Sequence, residues 1–184
     1  MTCNDQILSG IPKNVVDAAA SIRLVVIDAD GVLTDGTLYF NSNGELLKAF
    51  NIHDGLGIKL LEKSGIPVGI ITGRFSDPLV ARAKELGISF VVQGREDKLT
   101  ALEEIRLQDP IEMQEICYVG DDLPDIAAIR KVGLGICVAN CNSVITSFAD
   151  WQTTTRGGSG AVREVADMIL AAQGKLASIL ADHL

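Results

Sequence analysis

Polar residues at four places in this chain are of types that, brought together, would handle a phosphoryl group. Asp28 and Asp30 stand two residues apart at the end of the apolar run Leu24-Val25-Val26-Ile27, with Gly31 behind them. Thr72 and Gly73 close a second apolar run, Lys98 opens a helical pattern, and Asp121, Asp122 and Asp125 follow a run ending at Val119. A group of carboxylates repels itself and calls for a cation. Oxygen ligands suit Mg²⁺, which keeps several waters and shares its shell with phosphate; zinc would ask for His or Cys, which this set does not offer. A hydroxyl, an ammonium and backbone N–H groups beside such an ion supply positioning and charge neutralisation, the needs of phosphoryl transfer. Alone, the D-x-D pair reads equally well as an acidic turn. Thr72 alone reads as a helix cap, and Asp122 or Asp125 as partners of a helix dipole.

The surrounding pattern says what must position these residues. A short lead-in helix is expected from Val15 to Ile22. Apolar, β-branched runs predict strands at 24–27, 66–72, 88–92, 116–119 and 136–139. Helical spacing predicts helices at 56–63, 77–86, 97–107 and 124–131, the third stopped by Asp109-Pro110. Two β-prone runs around Asn41-Ser42-Asn43-Gly44 predict a hairpin over residues 37–50. A short helix at 143–148, an edge strand at 151–154 and a terminal helix at 161–184 with a break at Gly174 complete the reading. Strands alternating with helices mean an α/β fold, a parallel sheet covered on both faces. Ligands of such sheets bind at the carboxyl ends of the strands, where Asp28, Thr72 and Asp121 would stand.

Composition narrows the function classes. The chain has 184 residues, 47% of them apolar, enough for one domain with one core. Its net charge of −8 argues against nucleic acid or an anionic membrane as partner. No apolar run approaches a transmembrane span, and the first residues carry no basic stretch leading into an apolar one, so a cytoplasmic location is expected. The four cysteines are read as reduced and non-catalytic.

The ordered set Asp28-Ala29-Asp30-Gly31-Val32, Thr72-Gly73, Lys98 and Gly120-Asp121-Asp122-Leu123-Pro124-Asp125 resembles the haloacid dehalogenase superfamily. More narrowly, Asp30-Gly31-Val32-Leu33-Thr34-Asp35-Gly36, Ile71-Thr72-Gly73-Arg74 and Gly157-Gly158-Ser159-Gly160-Ala161-Val162-Arg163-Glu164 resemble the 3-deoxy-D-manno-octulosonate 8-phosphate (KDO 8-phosphate) phosphatases. The resemblance covers nearly the whole chain. It implies a three-layer Rossmann-like hydrolase domain over residues 1–184, with a hairpin after the first strand and no cap domain. It implies a Mg²⁺-dependent phosphatase that releases KDO and phosphate for lipopolysaccharide synthesis through an aspartyl phosphate. Asp28 would be the nucleophile, Asp30 the proton donor and later the base, and Thr72 and Lys98 the holders of the phosphoryl oxygens. Asp28, Asp121 and the Asp30 carbonyl would bind the metal, and Asp125 would orient Lys98. Besides Asp30 and Lys98, the sugar acid would meet Asn51, Ile52, His53, Asp54, Gly55, Lys59, Arg74 and Arg82. A homotetramer is implied, assembled through the hairpin, and Gly157 to Gly160 is read as the hinge of a tail over residues 157–184. The rival expectations are a phosphatase of nine-carbon sialic-acid-type phosphates, a non-catalytic tetramerisation module and a receiver-like binding domain.

Overall fold

The structure, a computed structural model, describes residues 3–108 and 111–181. The expected break at Asp109-Pro110 and the last three residues of the expected terminal helix lie outside them. The chain begins with α1 (Cys3–Leu8) and α2 (Lys13–Ala19), where one lead-in helix is expected; Gly10, at φ +84°, and Pro12 separate the two. The strand β1 (Leu24–Ile27) is followed by the hairpin β2 (Tyr39–Asn41) and β3 (Gly44–Leu47). Then come α3 (Ile52–Lys63), β4 (Val68–Ile71), α4 (Asp77–Leu86), β5 (Phe90–Val92) and α5 (Lys98–Gln108). The second half runs β6 (Ile116–Gly120), α6 (Ile126–Ile129), β7 (Leu134–Cys137), β8 (Trp151–Gln152), α7 (Ala161–Ala172) and α8 (Leu176–Ala181).

Six strands form one parallel sheet in the order β5-β4-β1-β6-β7-β8, and the hairpin stands apart as its own two-stranded sheet. The chain moves outward from β1 through β4 and β5, then returns to the other side of β1 to lay down β6, β7 and β8. The central strands are buried along their length, which is why they read as continuous apolar runs rather than alternating ones. Successive side chains still go to opposite faces. Val25 and Ile27 join a core with α2, α3 and α7, while Leu24 and Val26 join a core with α5 and α6.

Helix ends follow local chemistry. The Asn51 side chain accepts the His53 N–H at 2.7 Å, so α3 starts four residues earlier than apolar spacing alone suggests. Ser76 caps α4, and Gly87 at φ +75° ends it. The helix expected at 124–131 is instead a 3₁₀ turn over Leu123–Asp125 followed by the single turn of α6. The expected break at Gly174, with φ +68°, separates α7 from α8. No helix among the described residues is long and apolar enough to cross a membrane.

Candidate active site

Three strand ends and one helix start meet at a cavity of about 170 Å³, lined by Asp28, Asp30, Thr72, Gly73, Arg74, Glu96, Lys98 and Pro124. Directly after β1, the Asp28 Oδ1 accepts the Ala29 N–H at 2.7 Å. Residues Ala29–Leu33 form a wide turn in which Gly31 sits at φ +95°, and the Thr34 N–H closes it on the Ala29 carbonyl at 3.0 Å. Only glycine takes that backbone geometry without strain. A Cβ on Gly31 would also collide with the carboxylate of Asp121, so the turn lies directly against the end of β6. After β4, Thr72 is buried and its hydroxyl accepts the Arg74 N–H at 3.3 Å.

Lys98 opens α5 and is buried with its ammonium between two carboxylates, 2.9 Å from Asp28 Oδ2 and 2.7 Å from Asp125 Oδ1. Asp125 is wholly buried and satisfied by four donors. Oδ1 accepts Lys98 and the Tyr118 hydroxyl (2.9 Å), and Oδ2 accepts the N–H groups of Asp121 (2.9 Å) and Asp122 (3.1 Å). Asp125 therefore holds the lysine and the β6 turn in place.

Among the described residues, Asp28, Asp121 and Asp125 offer carboxylate oxygens within 4.8 Å of one another. With Asp125 occupied, Asp28 and Asp121 are the pair with lone pairs to spare. Burial raises the Asp28 carboxyl to about 6, against the opposing pull of Lys98. Burial, then the charges of Asp28 and Asp125, raise Asp121 to about 7. Burial disfavours the charge on Lys98, but Asp28 and Asp125 outweigh it and keep the ammonium's pKa above its ordinary value. Two carboxyls held toward their protonated forms by burial and repulsion are what a bound cation relieves. The donors are hard oxygens, so the pair fits Mg²⁺.

Set beside known proteins, residues 55–133 match the haloacid dehalogenase-like hydrolase family model. The KDO 8-phosphate phosphatase of Yersinia pestis is 45% identical over 166 residues, 90% of this chain and 89% of that protein. The chain belongs to the KDO 8-phosphate phosphatase family. Solved structures of similar proteins agree with the membership. A probable YrbI-family phosphatase from Pseudomonas syringae superposes with a TM-score of 0.91 at 44% identity, covering 94% of this chain and 98% of that one. The Moraxella catarrhalis KDO 8-phosphate phosphatase, solved with magnesium, phosphate and KDO, gives 0.90 at 46% identity, covering 92% and 98%.

Within this KDO 8-phosphate phosphatase fold, Asp28, Asp30, Thr72, Lys98 and Arg74 share one cavity, with Asp121 beside Asp28. The Arg74 Nε lies 4.0 Å from Asp30 Oδ2, and its guanidinium stacks over Phe40 of β2, 5.6 Å from the ring centroid. The other expected sugar-acid contacts do not line the cavity of their own chain. Asp54 is fully buried, and its carboxylate accepts the N–H groups of Gly160 (3.2 Å) and Arg163 (2.9 Å), so it caps α7. Gly55 is buried beneath the guanidinium of Arg82, where a Cβ would collide with it. Arg82 pairs with Glu85 at 2.8 Å. Ile52, His53 and Lys59 are exposed on α3, Asn51 caps that helix, and His53 lines a separate cavity with Trp151 and Arg163.

Gly157 and Gly158, at the expected hinge of the tail, are bonded to neighbouring segments. Gly158 donates to the Val32 carbonyl at 3.0 Å and Gly157 to the Asn140 Oδ1 at 2.6 Å. A Cβ on Gly157 would enter the Gly31 carbonyl. These glycines permit close approach to the turn behind Asp28, and α7 after them is a core helix packed on α3. Three residues the sequence reading missed are Tyr118, Phe40 and Lys48. Tyr118 hides in an apolar run, and the other two belong to the hairpin segment, read for its surface rather than for the site.

Proposed function

We propose that this chain is a Mg²⁺-dependent phosphatase that converts KDO 8-phosphate to KDO and phosphate, one step in building lipopolysaccharide. The observation that carries the reading is the convergence of Asp28, Asp30, Thr72 and Lys98 on one cavity, with Asp121 beside Asp28, in a member of this family. Asp28 and Asp121, with the Asp30 carbonyl, would hold the ion. When bound there, Mg²⁺ neutralises the carboxylates and draws charge from a phosphoryl oxygen.

The chain's own groups do the rest. The Asp28 carboxylate attacks phosphorus; the bond from phosphorus to the sugar oxygen breaks, and Asp30 gives that oxygen its proton. Thr72 and Lys98 take up charge on the transferred group. Asp30, now deprotonated, draws a proton from the water that releases phosphate from Asp28. Arg74 stands at the edge of the same cavity and offers a planar fork to a sugar carboxylate.

The chain is proposed to work in the cytoplasm, as one domain over its length and as a homotetramer joined through the hairpin. Leu38, Tyr39, Phe40 and Leu47 are all exposed there, an apolar surface that a second copy would cover. Light scattering should report a tetramer for the native chain and smaller species for Leu47→Asp; an unaltered tetramer would remove the hairpin from the interface. The activity itself is tested with KDO 8-phosphate and a nine-carbon sialic-acid-type 9-phosphate, following phosphate release with Mg²⁺ and with chelator. The eight-carbon ester should win by at least about tenfold in kcat/KM, and chelation should stop turnover. The reverse order of esters would assign the chain to the nine-carbon substrates.

A further inference from the structure

Lys48 lies just past the end of β3, where the hairpin returns to the body of the fold. Its side chain is 1% exposed, and its ammonium is paired with Asp30 Oδ1. Burying an ammonium is costly unless it is paired, so this arrangement is specified by the fold and is not a chance surface contact. The contact divides the two oxygens of Asp30. Oδ1 belongs to Lys48. Oδ2 faces Arg74 Nε across 4.0 Å, and among the described residues neither atom has a hydrogen-bond partner although both are shielded from solvent. Asp30 and Arg74 both line the small cavity that also holds Asp28, Thr72 and Lys98. Oδ2 is thus the Asp30 oxygen turned toward Arg74, a residue of that same cavity.

We propose that Lys48 is a positioning residue for the reaction: by holding Asp30 Oδ1 it fixes the carboxyl rotation that presents Oδ2 to the leaving-group oxygen. The inference rests on the reading above, in which Asp30 protonates that oxygen. Asp30 sits in the turn after β1, at φ −84° and ψ 114°, outside regular helix geometry, so its backbone alone does not lock the side chain. A carboxyl free to rotate about its side-chain bonds loses the alignment that general acid catalysis needs, and that catalysis is worth about 10²–10⁴-fold. The hairpin thereby acts on chemistry within its own chain: Lys48 steadies Asp30, and Phe40 lies under Arg74.

The test is the dependence on leaving group. An alkyl ester such as KDO 8-phosphate needs a proton on its departing oxygen. p-Nitrophenyl phosphate does not, because its phenolate is stable without one. The readout is kcat/KM, which stops at the first irreversible step, the departure of the alcohol. Lys48→Met keeps the apolar stem and removes the ammonium. It is expected to lower kcat/KM for the alkyl ester by about 30-fold or more and for the nitrophenyl ester by about threefold or less. Asp30→Asn serves as the reference and should show the same selectivity more strongly. The ratio of the two esters is insensitive to partial misfolding, since the same folded molecules turn over both. Lys48→Gln, which retains a donor, should fall between wild type and Lys48→Met. Equal losses on both esters, or none, would overturn the inference while Asp30→Asn stays selective. Equal losses in Asp30→Asn as well would overturn the acid role of Asp30 and the inference with it.

Discussion

Asp28→Asn should abolish turnover, by at least about 10⁴-fold in kcat, while leaving the chain folded. The amide has the shape of the carboxyl but cannot attack phosphorus. Acid quenching during turnover should trap phosphate covalently on the wild-type chain and none on the variant. Its second signature is in stability. Asp28 is buried, and its carboxyl is pushed up to about 6, so at pH 8 it is ionised in surroundings that disfavour the charge. A neutral amide removes that cost. It also removes one of two partners of Lys98, but Asp125 remains at 2.7 Å. The metal-free variant should therefore melt within a few degrees of wild type, or higher, and the rise in Tm that Mg²⁺ gives the wild type should be largely lost. A variant keeping more than about 1% of wild-type activity would remove Asp28 as nucleophile; an unfolded one would make it a structural residue first.

The sheet and its reacting edge were legible because both depend on short-range signals. Buried parallel strands read as apolar runs, and each ends in a turn whose polar residues have nowhere to go but the sheet's carboxyl edge. Asp28, Thr72 and Asp121 are placed by that rule alone. Lys98 is legible as the start of a helix aimed at the same edge. The expected role of Asp125 in orienting Lys98 matches their 2.7 Å contact, whereas Tyr118, which meets the same carboxylate at 2.9 Å, looked like any core aromatic.

What the sequence could not convey is where polar residues between elements turn their side chains. Asp54 opens a helix, a position that reads as exposed and available. In the fold it is sealed under the start of α7, a contact over a hundred residues of chain that only packing creates. The glycines at 157 and 158 carry the same ambiguity, since glycine permits both mobility and close approach. Here the neighbours decide: the Gly31 carbonyl and the Asp35 backbone occupy the space a side chain would need. Lys48 is the converse case, a charge in a β-prone stretch that looks solvated and is buried on Asp30.

The stabilisation given by Mg²⁺ should grow steeply between pH 5 and pH 8. In the metal-free chain burial raises both carboxyls, Asp28 to about 6 and Asp121 to about 7, from an ordinary value of 3.8. The folded chain then binds more protons than the unfolded one from about pH 4 to pH 7. Where the native state holds the extra protons, stability falls as pH rises, so across that window these two groups make the metal-free protein less stable. Mg²⁺ acts in the opposite sense, because it takes the ionised pair and must displace protons from Asp121 below about pH 7 and from Asp28 below about pH 6. At pH 5 those protons stand to weaken apparent binding on the order of a thousandfold relative to pH 8. Thermal melts at a fixed millimolar Mg²⁺ concentration, each referred to a chelated sample at the same pH, cancel every other titrating group. The expected shift is several degrees at pH 8 and about one degree or less at pH 5. Equal shifts at the two pH values would mean that the ion does not bind through Asp28 and Asp121. Asp121→Asn, which removes one of the two proton-binding groups and one ligand, should flatten the dependence and lower the pH 8 shift together.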